Sequence, residues 1–149
     1  DGKVKEVSRN EVEFSYRHSS LRSDEIVVSA KFKFEKGAPE VIQVLKSKAS
    51  ESRKATQPLR FRSAGSIFKN PPEKPAGQLI DQAGLKGTRV GGAEISEKHA
   101  NFFVNHGDAS SEDLAELIRL ARRTVREKFD IHLELEIMTL GFPEGTFDG

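Results

Sequence analysis

The sequence predicts an α+β fold, and three observations carry that reading. Residues 110–129 place Leu114, Leu117, Ile118, Ala121, Val125 and Phe129 at helical spacing. Residues 131–140 alternate instead, with Ile131, Leu133, Leu135 and Ile137 on one face and His132, Glu134 and Glu136 on the other. Between the helical segments lie short apolar stretches, one of them broken by the Gly91-Gly92 pair, without a regular strand–helix repeat.

The elements follow in order. Asp1-Gly2 is a hairpin-turn dipeptide. It predicts Lys3–Val7 as the second arm of a hairpin whose first arm lies outside this chain. Asn10 with Glu13 three residues later has capping-box spacing and predicts a helical turn leading to Tyr16-Arg17-His18-Ser19-Ser20. Residues 25–34 alternate, with Ile26, Val28, Ala30, Phe32 and Phe34 on one face, and predict a half-buried strand. Residues 38–54 predict a helix whose apolar side is Val41, Ile42, Val44 and Leu45. Residues 76–83 predict a short helix closed by Gly84. Short strands are expected at 88–95 and 100–104 around Gly91-Gly92, and Ser110 or Ser111 is expected to cap the long helix. The tail, 142–149, is glycine-rich and expected to be loose.

Bulk properties narrow the function classes. At 149 residues, 36% hydrophobic and 32% charged, the chain can build a core without staples. It has no cysteine, which excludes disulfides and cysteine metal sites. The net charge of +1 gives no reason to expect a nucleic-acid partner. No apolar run is long enough for a membrane span, so no membrane partner is expected and a cytoplasmic location is. Residues 1–62 carry 14 Lys and Arg against 9 Asp and Glu, and the remainder carries 10 against 14, which suggests two units with different roles.

The run Ser63-Ala64-Gly65-Ser66-Ile67-Phe68-Lys69-Asn70-Pro71 concentrates the chemistry. Gly65 allows close backbone approach, Ser66 can give or take a proton, and Lys69 and Asn70 can grip phosphate or carbonyl oxygens. An ordinary loop uses the same residue types. No G-x-S-x-G elbow surrounds Ser66, which argues against a serine hydrolase. Glu136, in mid-strand among apolar neighbours, is costly unless it faces water or a site. The histidines show no metal-ligand spacing, so no metal is expected.

Further motifs follow in one direction: Gln57-Pro58-Leu59, Pro75-Ala76-Gly77-Gln78-Leu79-Ile80, Ala83-Gly84-Leu85-Lys86-Gly87, Val90-Gly91-Gly92-Ala93 and Ser96-Glu97-Lys98-His99-Ala100-Asn101-Phe102-Phe103-Val104-Asn105. Over roughly residues 11–141 the chain resembles the C-terminal half of UDP-N-acetylenolpyruvoylglucosamine reductases, the MurB family. The resemblance implies an enzyme using FAD and NADPH to reduce UDP-N-acetylglucosamine enolpyruvate to UDP-N-acetylmuramate, a peptidoglycan precursor. It implies that residues 1–35 close an FAD-binding domain, 36–55 form a connecting helix and 56–141 form a UDP-sugar-binding α+β domain. The rest of the FAD-binding domain would then be a missing N-terminal partner, and this chain alone would be inactive. Ser66 matches the proton donor, Glu136 the acidic residue of a Leu-Glu-x-Glu strand, and Arg17 the cation of a Tyr-Arg-x-Ser segment. The resemblance further implies substrate contacts at Lys69, Asn70, His99, Asn101 and Lys54, and cofactor contacts at Tyr16, Arg17 and Gly65. The family commonly has Pro where Leu135 stands, and Val-Arg where this chain has Ile137-Met138. Two other classes stay open: a UDP-sugar-binding module without catalysis, and a partner-binding domain with no small ligand.

Overall fold

The computed structural model describes residues 2–148. After a 3-10 turn at Arg9–Glu11, the chain forms β1 (Phe14–Ser15), β2 (His18–Ser19), α1 (Pro39–Thr56), β3 (Arg62–Ser66), α2 (Ala76–Gln82), β4 (Arg89–Val90), β5 (Ala93–Ile95), β6 (Phe102–Asn105) and α3 (Ser111–Phe129). The α+β class follows directly. Two units are distinguished, Asp1–Ala38 and Pro39–Gly149, so α1 and the tail both belong with the second unit.

The first unit departs most from its predicted elements. Lys3–Val7 is not a strand, and the Asp1-Gly2 turn lies partly outside the described residues. The capping pair is shifted: the Ser8 amide donates to Glu11 Oε2 at 2.7 Å, and Asn10 lies inside the turn rather than before it. Residues 25–34 form no ladder, and Ile26, Val28, Phe32 and Phe34 are 74–87% exposed. Alternation makes a strand only where a second backbone takes up its N–H and C=O groups, and no described segment pairs with this one. What does form is a hairpin, β1 against β2, with Phe14 opposite Ser19 and Ser15 opposite His18.

The second unit is built around an antiparallel sheet in the order β3-β6-β5-β4. α3 lies against β4 and β5 and also meets α2. Its periodic face, including Leu117, Ile118, Ala121 and Val125, joins Ile67, Phe68, Leu79, Ile80, Ile95, Phe103 and Leu133 in one core. The start of α3 is fixed by Ser110, whose hydroxyl accepts from the Asp113 amide at 3.1 Å while the Asp113 carboxylate accepts from the Ser110 amide at 3.0 Å. The same carboxylate takes the Gly92 amide at 3.1 Å, tying the β4–β5 turn to the helix. A Cβ at Gly92 would stand 2.4 Å from the Ala109 nitrogen. Gly92→Ala is therefore expected to cost about 1–3 kcal/mol, as overpacking does, read as a lower thermal midpoint.

α1 forms where predicted, but Val41, Ile42, Val44 and Leu45 are 52–61% exposed. The last predicted strand shortens to a bridge between Leu135 and Phe68. Lys69 N donates to Glu134 O and Glu136 N to Ile67 O, each at 2.8 Å. Its alternation survives, with Leu133 buried and Ile131, Leu135 and Ile137 packed on the core. The pairing cannot continue because Pro71 and Pro72 have no N–H to donate. The tail is docked rather than loose: Phe147 is buried and packs edge-on against Phe142, with ring centres 4.9 Å apart.

Candidate functional site

The Ser63–Pro71 turn is shaped by a register slip and a clamp. Between Ser63 and Ser66 the pairing of β3 with β6 is irregular, and Gly65 takes a left-handed φ of 85°. A side chain there would be strained by the backbone, although nothing lies within 4 Å of where its Cβ would be. Beyond Ser66, Ile67 and Phe68 both enter the core, at 2% and 0% exposure, which a regular strand would not allow. Asn101 holds this break. Its carbonyl accepts from Ile67 N at 2.9 Å, its Oδ1 from Phe68 N at 2.9 Å, and its Nδ2 donates to Phe68 O at 2.8 Å. Asn70 Oδ1 accepts from Ala76 N at 3.0 Å, so the turn also anchors the start of α2.

A cleft of about 320 Å³ opens beside this turn. Ser66, Asn70, His99 and Asn101 all line it, so four of the sequence-predicted residues come together. Asn101 is 3% exposed and its side chain is engaged with Phe68, which makes it a shaper of the wall. His99 accepts the Asn101 amide at Nδ1, 3.2 Å away, which leaves its proton on Nε2. Its ring packs edge-on against Phe102 with centres 4.9 Å apart. Gly77 makes room for it, since a Cβ there would stand 3.0 Å from His99 Cε1.

Burial, assisted by the nearby Lys86 charge, holds the His99 imidazole below its ordinary pKa of 6.5. A depressed histidine pKa means that the unfolded chain binds more protons between the folded value and 6.5. Stability from this group is therefore complete above 6.5 and is lost as the pH falls below it. An NMR titration of the His99 ring is expected to give a midpoint below 6.5, and His99→Asn to flatten the pH dependence of unfolding in that range.

The cleft also holds residues that sequence reasoning passed over: Gly77, Gln78, Asp81, Lys86 and Lys98. Asp81 and Lys86 form an ion pair at 2.7 Å. The signal was available in α2, where Leu79, Ile80 and Ala83 are the buried face and Gly77, Gln78 and Asp81 fall opposite at helical spacing.

Other expected site residues lie elsewhere. Lys69 pairs its ammonium with the Glu134 carboxylate and does not line the cleft. Glu136 is half-buried beside the turn, its amide bonded to Ile67 O, and is also outside the cleft lining. Lys54, near the end of α1, lines a second hollow of about 610 Å³ with Leu59, Phe61 and Lys98. Its carbonyl accepts the Lys98 ammonium. Tyr16 and Arg17 belong to the first unit, at the β1–β2 turn. There Arg17 has a left-handed φ of 53° and its guanidinium lies 5.6 Å from the centre of the Tyr16 ring. Among the described residues no group of His, Asp and Glu is arranged to hold a metal ion.

Comparisons with known proteins converge. Residues 57–140 match the family model described as UDP-N-acetylenolpyruvoylglucosamine reductase, C-terminal domain. The chain is 45% identical to the UDP-N-acetylenolpyruvoylglucosamine reductase of Synechococcus sp. (strain CC9605), over 95% of this chain and 48% of the relative. It is 48% identical to the reductase of that name from Caldicellulosiruptor bescii, over 91% of this chain and 44% of the relative. The solved reductase from Thermus caldophilus superposes with a TM-score of 0.74 at 43% identity, over 87% of this chain and 46% of that one. The chain thus spans about half the length of the curated relatives it matches. More than half of it matches the family model, and the fold and the turn carry the matching segments: this chain belongs to the UDP-N-acetylenolpyruvoylglucosamine reductase family, with the family's C-terminal domain at residues 57–140.

Proposed function

We propose that this chain supplies the UDP-sugar-binding half of a UDP-N-acetylenolpyruvoylglucosamine reductase. The reaction is reduction of UDP-N-acetylglucosamine enolpyruvate to UDP-N-acetylmuramate, an oxidoreductase step in peptidoglycan precursor synthesis in the cytoplasm. The observation that carries this reading is the cleft itself, which gathers the Ser66 hydroxyl, the Asn70 amide, the His99 imidazole and the Lys98 ammonium beside the turn. These groups can donate hydrogen bonds to, and place positive charge beside, an anionic sugar nucleotide.

The residues present fit a flavin on one point. Gly65, next to Ser66, leaves open space where a Cβ would be, so a flat ring can approach the backbone there. Tyr16 and Arg17 would supply further FAD contacts, and the N-terminal half of the relatives would supply the remainder of its domain. FAD, reduced by NADPH, would bring the hydride.

The chain's own residues do the rest. Ser66 Oγ would deliver a proton to C2 of the enolpyruvyl group, as a positioned general acid. Arg17 would stabilise the negative charge developing on the substrate carboxylate side, and Glu136 would do so only in its acid form, as a hydrogen-bond donor. His99, a neutral donor through Nε2, would orient the substrate, as would Asn70. Lys54 and Lys69 stand outside the cleft lining and would meet only a part of the substrate that extends beyond it. No described helix is long and apolar enough to cross a membrane.

An NMR titration of this chain with the enolpyruvyl UDP sugar tests the reading. Shifts are expected at Ser66, Asn70, Lys98 and His99. A folded spectrum without shifts overturns substrate binding by this half alone. Binding that survives while a full-length protein shows no NADPH turnover would favour a UDP-sugar-binding module.

A further inference from the structure

α3 carries a guanidinium almost withdrawn from water. The Arg122 side chain is 11% exposed. Its Nε donates to Leu133 O at 3.0 Å, one terminal nitrogen to Phe147 O at 2.6 Å, and the other to His132 Nε2 at 2.8 Å. The Asp148 carboxylate stands 3.6 Å away. An arginine cannot shed its charge, so burial at this depth is tolerable only because its N–H groups meet acceptors. Because Arg122 only donates, His132 accepts at Nε2 and carries its proton on Nδ1. Arg119 secures the same tail, donating to Thr146 O at 3.1 Å.

The two segments gripped by Arg122 have different positions relative to the site. Phe147 belongs to the docked tail and joins the core. Leu133 opens the stretch that carries Glu134 and Glu136. That stretch meets the Ser66–Asn70 turn through Lys69 N to Glu134 O and Glu136 N to Ile67 O. The Lys69–Glu134 ion pair adds a contact, but with Glu134 67% exposed it contributes little. Leu133 and Leu135 also pack on the core, and Arg122 adds a polar anchor on the other side of the stretch, bridging it to both α3 and the tail.

We propose that Arg122 is a positioning residue for the reduction: through Leu133 O it fixes the Glu136-bearing segment against the turn that carries Ser66, with tail residues 142–148 as the strap that completes its coordination. This rests on the reductase reading for its effect on catalysis, but not for its effect on structure. A lysine reaches one acceptor as a point charge, whereas the planar fork of arginine spans several.

The test uses Arg122→Lys and, separately, Phe147→Ala, which loosens the strap and keeps the guanidinium. In this chain, amide exchange at Lys69 and Glu136 is expected to rise at least about tenfold in Arg122→Lys, from an opening of the segment rather than of the domain. The Leu117 amide in mid-α3 is expected to stay protected. Phe147→Ala should produce a smaller rise at the same two amides. In a full-length reductase, Arg122→Lys is expected to lower kcat by roughly 10- to 100-fold, as misplacement of catalytic groups does, with KM little changed. Unchanged exchange at Lys69 and Glu136, while Thr146 and Phe147 loosen, would overturn the proposal and leave Arg122 a tail anchor only. Uniform loss of protection, including Leu117, would overturn it in favour of a general stability role. If the full-length parent turns over no substrate, the reductase reading fails while the exchange result still decides what Arg122 holds.

Discussion

Ser66→Ala is expected to lower kcat of a full-length reductase by about 10²–10⁴-fold, the range over which a positioned acid or base contributes. Ser66 supplies the only hydroxyl among the residues lining the cleft, so no neighbouring hydroxyl can take its place there. Its position is set by the backbone rather than by its own side chain. The left-handed Gly65 and the irregular β3–β6 pairing aim residue 66, and Asn101 pins the two residues after it. Removing one oxygen should therefore leave the thermal midpoint within a degree or two, as at positions where no buried partner is lost. KM for the UDP sugar should change by less than the turnover does, because the proton moves only in the transition state. Steady-state kinetics with NADPH consumption reads kcat and KM, and calorimetry on the same preparation reads the fold. A serine that merely ends β3 would give the opposite pattern: kcat within about twofold and a measurable loss of stability.

Where the sequence was readable, one physical pattern dominated its segment. α3 has strict periodicity, a Ser110–Asp113 cap and a left-handed Asp130 at its end, and each agrees with the others. The cleft residues Ser66 and Asn70 stand in a segment whose small residues and prolines mark a turn, whereas His99 is expected only from the resemblance. The misreadings came from places where a second partner decides. Residues 25–34 alternate well, yet alternation does not supply the neighbouring backbone that a strand requires. The tail was read as loose from its glycines, but Phe142 and Phe147 were the informative residues there, and two arginines on α3 receive it. The resemblance implies a substrate contact at Asn101, whereas the structure gives its side chain a second task. A buried amide carries both a donor and an acceptor, and here both serve the backbone of Phe68 33 residues away, a pairing that no local pattern announces.

That pairing sets the other large effect. Asn101→Ala leaves the Phe68 N–H and C=O without the partners they have now, at a residue that is 0% exposed. Each unsatisfied buried group costs about 1–3 kcal/mol, so the loss should reach roughly 2–5 kcal/mol. For a unit of this size that corresponds to a fall of roughly 10–20 °C in thermal midpoint. Asn101→Asp separates the two bonds. It can still accept from Phe68 N, but it offers Phe68 O a carboxylate oxygen in place of a donor, so it should be no more stable than the alanine variant. The backbone bond from Ile67 N to Asn101 O survives both changes, which confines the damage to the turn. UDP-sugar affinity should fall with the stability in both variants, because the wall formed by Ser66 and Asn70 loses its clamp. A direct ligand contact would instead weaken binding while the melting temperature stayed near the parent value. A drop of less than about 1 kcal/mol would mean that water reaches Phe68 and replaces the amide, and the clamp would then explain neither the fold of the turn nor the shape of the cleft.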